Sequence, residues 1–375
     1  MVMKLVKNFL KRTLIKRQFK EQDHFWKYLF YKDLYSKCDV KRLSDSQYRS
    51  LKSYYRNNFG KSINPLWHEY YYFMTGKFDV RFMPDNIFYP YILPYLNDQR
   101  IERGYLDKNN YEHLFPEILQ PRTILKNING FYYIDNKPVT EREAIEKCSN
   151  LSDAIIKPAL DTFQGWNVRR FNSENGNTNI NKCSLVQLLE LYKKNFIIQE
   201  VIQQHPLISS LNESSVNTIR IVTYRLGNNV IPLSCIIRVG RKGALVDNGH
   251  AGGYCCGIDQ NGCLKEFGFI CVSGEKRRTT DNGFGFAGFK IPLFDKIMET
   301  AQYLHLRLPY LRFIGWDFCL NNKDEIVLLE FNATPSIDIM QLTNGPILGD
   351  YTEEILKEIA KNNYKLSLQC VLCER

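Results

Sequence analysis

The chain has 375 residues, 44% of them apolar, and carries 50 basic against 40 acidic side chains for a formal net charge of +10. That length and apolar content allow two or three domains with cores of their own, and no run reaches the ~18 apolar residues of a membrane helix, so neither a disordered nor a membrane-spanning chain is expected. Eleven scattered cysteines with no secretory signal ahead of them argue against a disulfide framework and for a reducing, cytoplasmic setting.

Met1 to Lys20 lacks acidic residues and places Leu5 and Phe9 at helical spacing among Lys and Arg. It reads as a basic helix, either docked or solvated at the terminus or lying on anionic lipid. From His24 to Tyr95 aromatics crowd together, among them Trp26, Phe30, Trp67 and Tyr70 to Tyr72. Aromatics between basic residues can stack nucleic-acid bases. Helical spacing without a nucleic-acid motif favours a packed helical cap instead, so no nucleic-acid partner is expected. Pro84, Pro90 and Pro94 are expected to break this run and mark a boundary. Asp107-Lys108-Asn109 opens a helix ending before Pro116, and Pro121 to Leu125 enters a strand; Lys108 and Lys126 are by default surface lysines, with phosphate contact the alternative.

Ala154-Ile155-Ile156-Lys157-Pro158 points a lysine out of the end of an apolar strand, and Asp161 to Val168 turns into the next one. Cys183 to Asn195 is helical by the spacing of Leu185, Leu188, Leu189 and Tyr192, and Phe196 to Ile202 is a buried strand. Glu200 and His205 stand at its end as ordinary polar groups. Val216 to Tyr224 and Ser234 to Val239 alternate as strands, each interrupted by an arginine. If buried, Arg220 and Arg238 need an anionic partner, be it a ligand or a structural carboxylate. Val246 to Gly253, with Asn248 inside it, is a polar glycine-rich loop beside them. Cys255-Cys256 reads as packing. Ser273 to Lys290, with Lys276, Arg277 and Arg278, reads as a mobile basic loop, and Leu293 to Leu306 as a helix.

Phe313 to Pro335 is the most informative stretch. Two apolar runs with period two flank Asn321-Asn322-Lys323-Asp324, the pattern of an antiparallel hairpin. Glu330 and Asn332 share one face of the second strand, and pairing brings Asp317 opposite them. Two carboxylates and a carboxamide without His or Cys suit Mg²⁺, whose octahedron substrate phosphates usually complete, so the cluster predicts a nucleotide. The competing reading is the solvent face of a half-buried hairpin. Against it, Glu330 lies between Leu329 and Phe331, where a buried carboxylate needs a cation. A closing helix spans Thr352 to Asn362, and Cys370-x-x-Cys373 is a lone pair with no role assigned.

The order Asp317, Glu330, Asn332 and then Ala333-Thr334-Pro335 resembles the metal-binding hairpin of the ATP-grasp superfamily, Asp…Glu-x-Asn followed by a small residue or Pro. With Gly315-Trp316-Asp317 and the upstream Asn217 to Tyr224, the chain from 66 to 345 most resembles the sugar-transfer-associated branch, found with surface-polysaccharide genes. The resemblance implies an α+β, ATP-grasp fold in which two sheet-containing lobes clasp ATP. Its expected parts are an aromatic-rich helical region at 1–95, a pre-ATP-grasp segment at 96–155, a lid lobe at 156–206, a lobe with the metal hairpin at 207–350, and a helix and tail at 351–375.

By the same resemblance Lys157 contacts the α- and β-phosphates beneath the 161–168 loop, which has fewer glycines than the family usually carries. Gln199, Glu200, Val201 and Ile202 read adenine, His205 meets the ribose, and the loop of Asn248 lies near substrate or phosphate. Arg220 and Arg238 balance charge on the γ-phosphate or an acyl-phosphate, and Asp317, Glu330 and Asn332 hold two Mg²⁺ ions. The implied activity is ATP-dependent ligation of a small-molecule or glycan carboxylate to an amine through an acyl-phosphate, in capsule or O-antigen assembly. Gly315 stands where D-alanine ligases carry Arg, so a D-alanine-type substrate is not expected. Two rivals remain: a kinase of a sugar or polyol using the same hairpin, and a non-catalytic scaffold held to anionic membrane through residues 1–20.

Overall fold

The computed structural model describes residues 2–160, 166–181, 183–247 and 252–361. The N-terminal region is helical: α1 (Val2–Asp33), α2 (Asp45–Phe59) and α3 (Leu66–Thr75). Ser44 and Gln47 form a reciprocal capping box at the start of α2, and Gly60, at φ 72°, closes its other end in the left-handed conformation. The aromatics make a core, with Phe30 of α1 stacked on Trp67 of α3 and Tyr71 stacked on Phe82. The expected break at the prolines is not seen. Short helical turns continue from Asp85 to Leu96, with a wider π turn at Phe88–Ile92 around Pro90. Such a turn tolerates a residue with no N–H to donate.

Seven strands form a first antiparallel sheet: β1 (Thr123–Ile128), β2 (Phe131–Ile134), β3 (Lys137–Val139), β4 (Leu151–Pro158), β5 (Arg169–Glu174), β6 (Asn177–Thr178) and β7 (Phe196–Glu200). Their order is β3-β2-β1-β7-β4-β5-β6. The helices Glu141–Cys148 and Leu185–Tyr192, each opened by a capping box, pack on this sheet through Ala144, Leu188 and Leu189. The boundary expected at 155/156 falls inside β4. Residues 123–139 belong to this sheet rather than to a separate segment, because β1 pairs directly with β7.

The second sheet contains β8 (Thr218–Leu226), β9 (Asn229–Val239), β10 (Tyr254–Ile258), β11 (Leu264–Ile270), β12 (Lys276–Arg277), β13 (Phe313–Leu320) and β14 (Ile326–Asn332), in the order β12-β11-β10-β9-β8-β13-β14. The helix Phe294–His305 covers one face and the N-terminal helical region the other, so every residue of β13 is buried. Asn97 ties the two layers together. Its Nδ2 donates to the carbonyls of Phe313 (2.8 Å) and Ala333 (2.7 Å), and its Oδ1 accepts from the backbone N–H groups of Arg312 and Phe313. The basic stretch expected to be a mobile loop begins as β12, paired to the edge of β11, with Arg277 and Arg278 engaged by Glu275 and Glu266. None of the described helices is long and apolar enough to cross a membrane.

Candidate functional site

A cleft of about 1000 Å³ is walled by both sheets and by the second half of α1. Its chemistry begins with strand register. β13 pairs with β14 so that Asp317 faces Glu330 and Gly315 faces Asn332, and β8 on the other side sets Arg220 against Asp317. Three adjacent strands thus deliver charge to one place. Arg220 grips Asp317 with both ends of its guanidinium, Nε to Oδ1 at 2.7 Å and Nη2 to Oδ2 at 2.5 Å. Arg238 of β9 lies between Asp317 (3.5 Å) and Asp247 (3.4 Å), and Asp247 also accepts from the backbone N–H and hydroxyl of Thr218. Asn332 Nδ2 approaches Asp317 Oδ2 at 3.5 Å.

Glu330 takes its partner from elsewhere. Lys108 Nζ is 3.3 Å from its Oε2, and the lysine side chain is only 9% exposed. The backbone N–H of Lys108 donates to the carbonyl of Ala159, just after Lys157-Pro158, so the two lysines arrive together. Lys157 ends β4 and enters the cleft from the first sheet. Burial and the charge of Lys108 pull its ammonium down to about 8, with Glu330 opposing. Burial alone would raise Glu330, but Lys108, Lys157, Arg220 and Arg238 outweigh it and hold its carboxyl at about 2.

Lys108, Lys157, Arg220 and Arg238 therefore outnumber the carboxylates Asp247, Asp317 and Glu330. Such a cluster repels a bare divalent cation and attracts one that comes with phosphates. Asp317, Glu330 and Asn332 fit Mg²⁺ in donor type, being all oxygen-bearing and converging through strand register. Among the described residues no group of three or more His, Cys, Asp or Glu could hold a metal ion alone, so a Mg²⁺ ion on these side chains would take the rest of its shell from water or substrate oxygens.

Gln199, Glu200, Val201 and Ile202 line the same cleft at the end of β7. Gln199 donates through Nε2 to the carbonyl of Pro121, and Glu200 is engaged by Arg122. His205, expected at the ribose, is not among the residues that line the cleft. Its Nδ1 accepts from the N–H of Leu207 and its Nε2 lies 3.0 Å from Asp324 in the hairpin turn. Asn248 lies outside the described residues, as do residues 161–165 and the Cys370/Cys373 pair.

Sequence reasoning passed over Lys108 and Asp247. Lys108 is buried by a backbone contact to a segment 51 positions on, for which no linear signal exists. Asp247 is the structural carboxylate that a buried Arg238 demands. Lys126, by default a surface lysine, is instead buried, donating to Asn109 O, Glu112 and Asn136.

A family model described as sugar-transfer associated ATP-grasp matches residues 95–357. No curated protein sequence matches the chain. Among solved structures, the ATP-grasp ligase PsnB in complex with a precursor peptide and AMPPNP is 12% identical over 71% of this chain, with a TM-score of 0.38. This chain covers 61% of that one. D-alanyl-alanine synthetase A from Vibrio cholerae is 12% identical over 70% of this chain and 66% of its own, with a TM-score of 0.40. The N5-carboxyaminoimidazole ribonucleotide synthetase purK is 11% identical over 71% of this chain and 53% of its own, with a TM-score of 0.38.

Proposed function

Since the chain belongs to the sugar-transfer associated ATP-grasp family, we propose that it is an ATP- and Mg²⁺-dependent ligase joining a carboxylate to an amine through an acyl-phosphate, in the building or modification of a surface polysaccharide. The observation that carries the reading is the convergence of Asp317, Glu330 and Asn332 with Lys108, Lys157, Arg220 and Arg238 on one cleft between two sheets. In this reading a substrate carboxylate oxygen attacks the γ-phosphorus of ATP and ADP leaves. The amine nitrogen then attacks the acyl carbon, phosphate leaves, and the nitrogen loses a proton.

Asp317, Glu330 and Asn332 would hold Mg²⁺, which would supply Lewis-acid neutralisation of the phosphate charge. Lys157 neutralises the α- and β-phosphates from the first sheet, and the strand end from Gln199 to Ile202 offers its backbone to the adenine edge. Arg220 and Arg238, fixed by Asp317 and Asp247, present their remaining N–H donors to the phosphoryl group in transfer. Nothing in this scheme needs a protein nucleophile. Glycan specificity is suggested by the family's name alone.

The test is an ADP-release screen of uronic acids and other carboxylate-bearing sugars crossed with amino acids, with hydroxylamine present as a trap. Formation of a hydroxamate supports the ligase. A stable phospho-sugar without hydroxamate would replace it with a kinase. Peripheral contact of the N-terminus with anionic lipid belongs to the same reading. Removal of residues 2–18, ahead of the Phe19–Tyr91 stack, is expected to abolish cosedimentation with phosphatidylglycerol vesicles, whereas Asp317→Asn leaves it intact.

A further inference from the structure

Cys255 and Cys256 stand side by side on β10, and a strand sends neighbours to opposite faces. Cys256 enters the core beneath the helix Phe294–His305, where its thiol donates to the carbonyls of Lys265 and Phe267, both at 3.4 Å. That is the packing its sequence suggested. Cys255 points the other way, is 2% exposed, and meets a second sulfur. β10 and β11 pair Tyr254 with Ile270, and the backbone N–H of Cys271 donates to the carbonyl of Gly253, which brings Cys271 alongside Cys255. Their Sγ atoms are 2.9 Å apart. Both are free thiols, and both line the cleft.

Reach is the first condition for a disulfide. A bonded pair holds its sulfurs about 2.05 Å apart, so closing the bond moves these two by less than an ångström. Access is the second. Cys271 is half-buried and borders the cleft, whereas Cys255 packs into the core shared with the helical layer. A small oxidant therefore reaches the pair from the cleft, at Cys271. Charge is the third condition, because the thiolate is the form that reacts. The hydrogen bond to Cys255 and burial push the Cys271 thiol up, and Arg238, directly opposite Cys255 on β9, pulls against them. At rest the pair is a protonated dithiol, and its oxidation is a slow step that a small, strong oxidant drives.

We infer that Cys255 and Cys271 form a redox-modification site in the cleft wall, closing to an intramolecular disulfide when a hydroperoxide enters the cleft. With hydrogen peroxide, the Cys271 thiolate attacks one oxygen, the O–O bond breaks, and a sulfenic acid forms. The hydroxide released takes up the proton that the thiol lost. The Cys255 sulfur then attacks the sulfenyl sulfur, the S–O bond breaks, and the oxygen leaves as water with the proton of Cys255. Two thiols and one peroxide become one disulfide and two waters. The step needs no nucleotide, so it stands apart from the ligase reading. Because the cleft is the route in, a ligand that fills it shields the pair.

The test exposes the full-length protein to hydrogen peroxide, blocks the remaining thiols with N-ethylmaleimide, and maps tryptic peptides by mass spectrometry without reduction. Cleavage after Lys242, Lys265 and Lys276 leaves Cys271 as the sole cysteine of peptide 266–276 and puts Cys255 in peptide 243–265 beside Cys256 and Cys263. Expected is a link between these two peptides, lighter than their sum by two hydrogens and lost on treatment with dithiothreitol. Fragmentation should place it on Cys255, and it should be absent from Cys255→Ser and Cys271→Ser proteins that keep a cooperative thermal transition. No link in the unsubstituted protein, or a link placed on Cys256 or Cys263, overturns the site. ATP with Mg²⁺ well above its Kd is expected to slow the linkage about tenfold or more, since most of the protein is then occupied. ATP with Mg²⁺ that raises the thermal midpoint yet leaves the rate of linkage unchanged overturns entry through the cleft. A link that forms while ATP with Mg²⁺ alters neither the midpoint nor the rate keeps the dithiol site and sinks the nucleotide reading.

Discussion

Lys157 is a cleft lysine whose ionisation is moved towards neutral pH. Its ammonium is held down to about 8 by burial and Lys108. The phosphates of ATP bind the charged form, so below pH 8 the site is ready and above it each bound ATP must first recover a proton. The KM for ATP is therefore expected to rise as pH passes upward through about 8, and Lys157→Arg, charged throughout, is expected to flatten that profile in steady-state kinetics. Asp317 and Glu330 should separate by their other duties. Asp317 is 2% exposed and locked to Arg220, so Asp317→Asn is expected to cost about 3 kcal/mol of stability by stranding a buried guanidinium, besides lowering turnover about a hundredfold or more. Glu330, a third exposed and paired only at 3.3 Å, is expected to give the kinetic loss in Glu330→Gln with a smaller drop in thermal midpoint, since water shares in solvating it. Equal midpoint shifts in the two variants would show that the Arg220 pair is not the difference.

The hairpin β13–β14 works as an element because, beside a register irregularity between Asp317 and Phe318, its pairing still sets Gly315 opposite Asn332 and Asp317 opposite Glu330. A Cβ on Gly315 would lie 2.8 Å from Pro335 Cβ, closer than side chains approach. That contact explains why the residue opposite Asn332 carries no side chain. Gly315→Ala is expected to displace Pro335 and with it Asn332, raising the KM for ATP about tenfold while costing about 1–3 kcal/mol of stability. An unchanged KM with the stability loss would mean that Asn332 does not serve the nucleotide. The hairpin and its polar face were legible in the sequence, since alternation and the turn cluster specify pairing, and pairing specifies which side chains meet. His205 was assigned to the ribose by the resemblance alone, while its place after a buried strand marked it only as an ordinary polar group; in the structure the chain turns there and the imidazole caps a short helix.

At the scale of the molecule, the cleft joins two sheets and an N-terminal helix, so a ligand filling it ties all three together. Around Asp317 and Glu330, the local excess of Lys108, Lys157, Arg220 and Arg238 over the carboxylates predicts that Mg²⁺ by itself gives no thermal shift. ATP with Mg²⁺ is expected to raise the midpoint by several degrees, as ligand at a hundredfold excess over Kd adds about 2.7 kcal/mol. A shift with Mg²⁺ alone would contradict the charge balance described above. What the amino-acid sequence determined by itself was the ordered set of local units: a lysine at a strand end, two arginine-bearing strands, and a hairpin with Asp317, Glu330 and Asn332 in phase. These are set by period and by neighbours a few residues apart, and they are visible without a fold. Only the tertiary structure decided that β1 to β3 belong to the lysine's sheet, that Lys108 is buried against Glu330, and that Trp26 of α1 lines the same cleft as Asp317. Those juxtapositions come from burying apolar faces against one another, an interaction without direction or sequence range, and so no local pattern announces them.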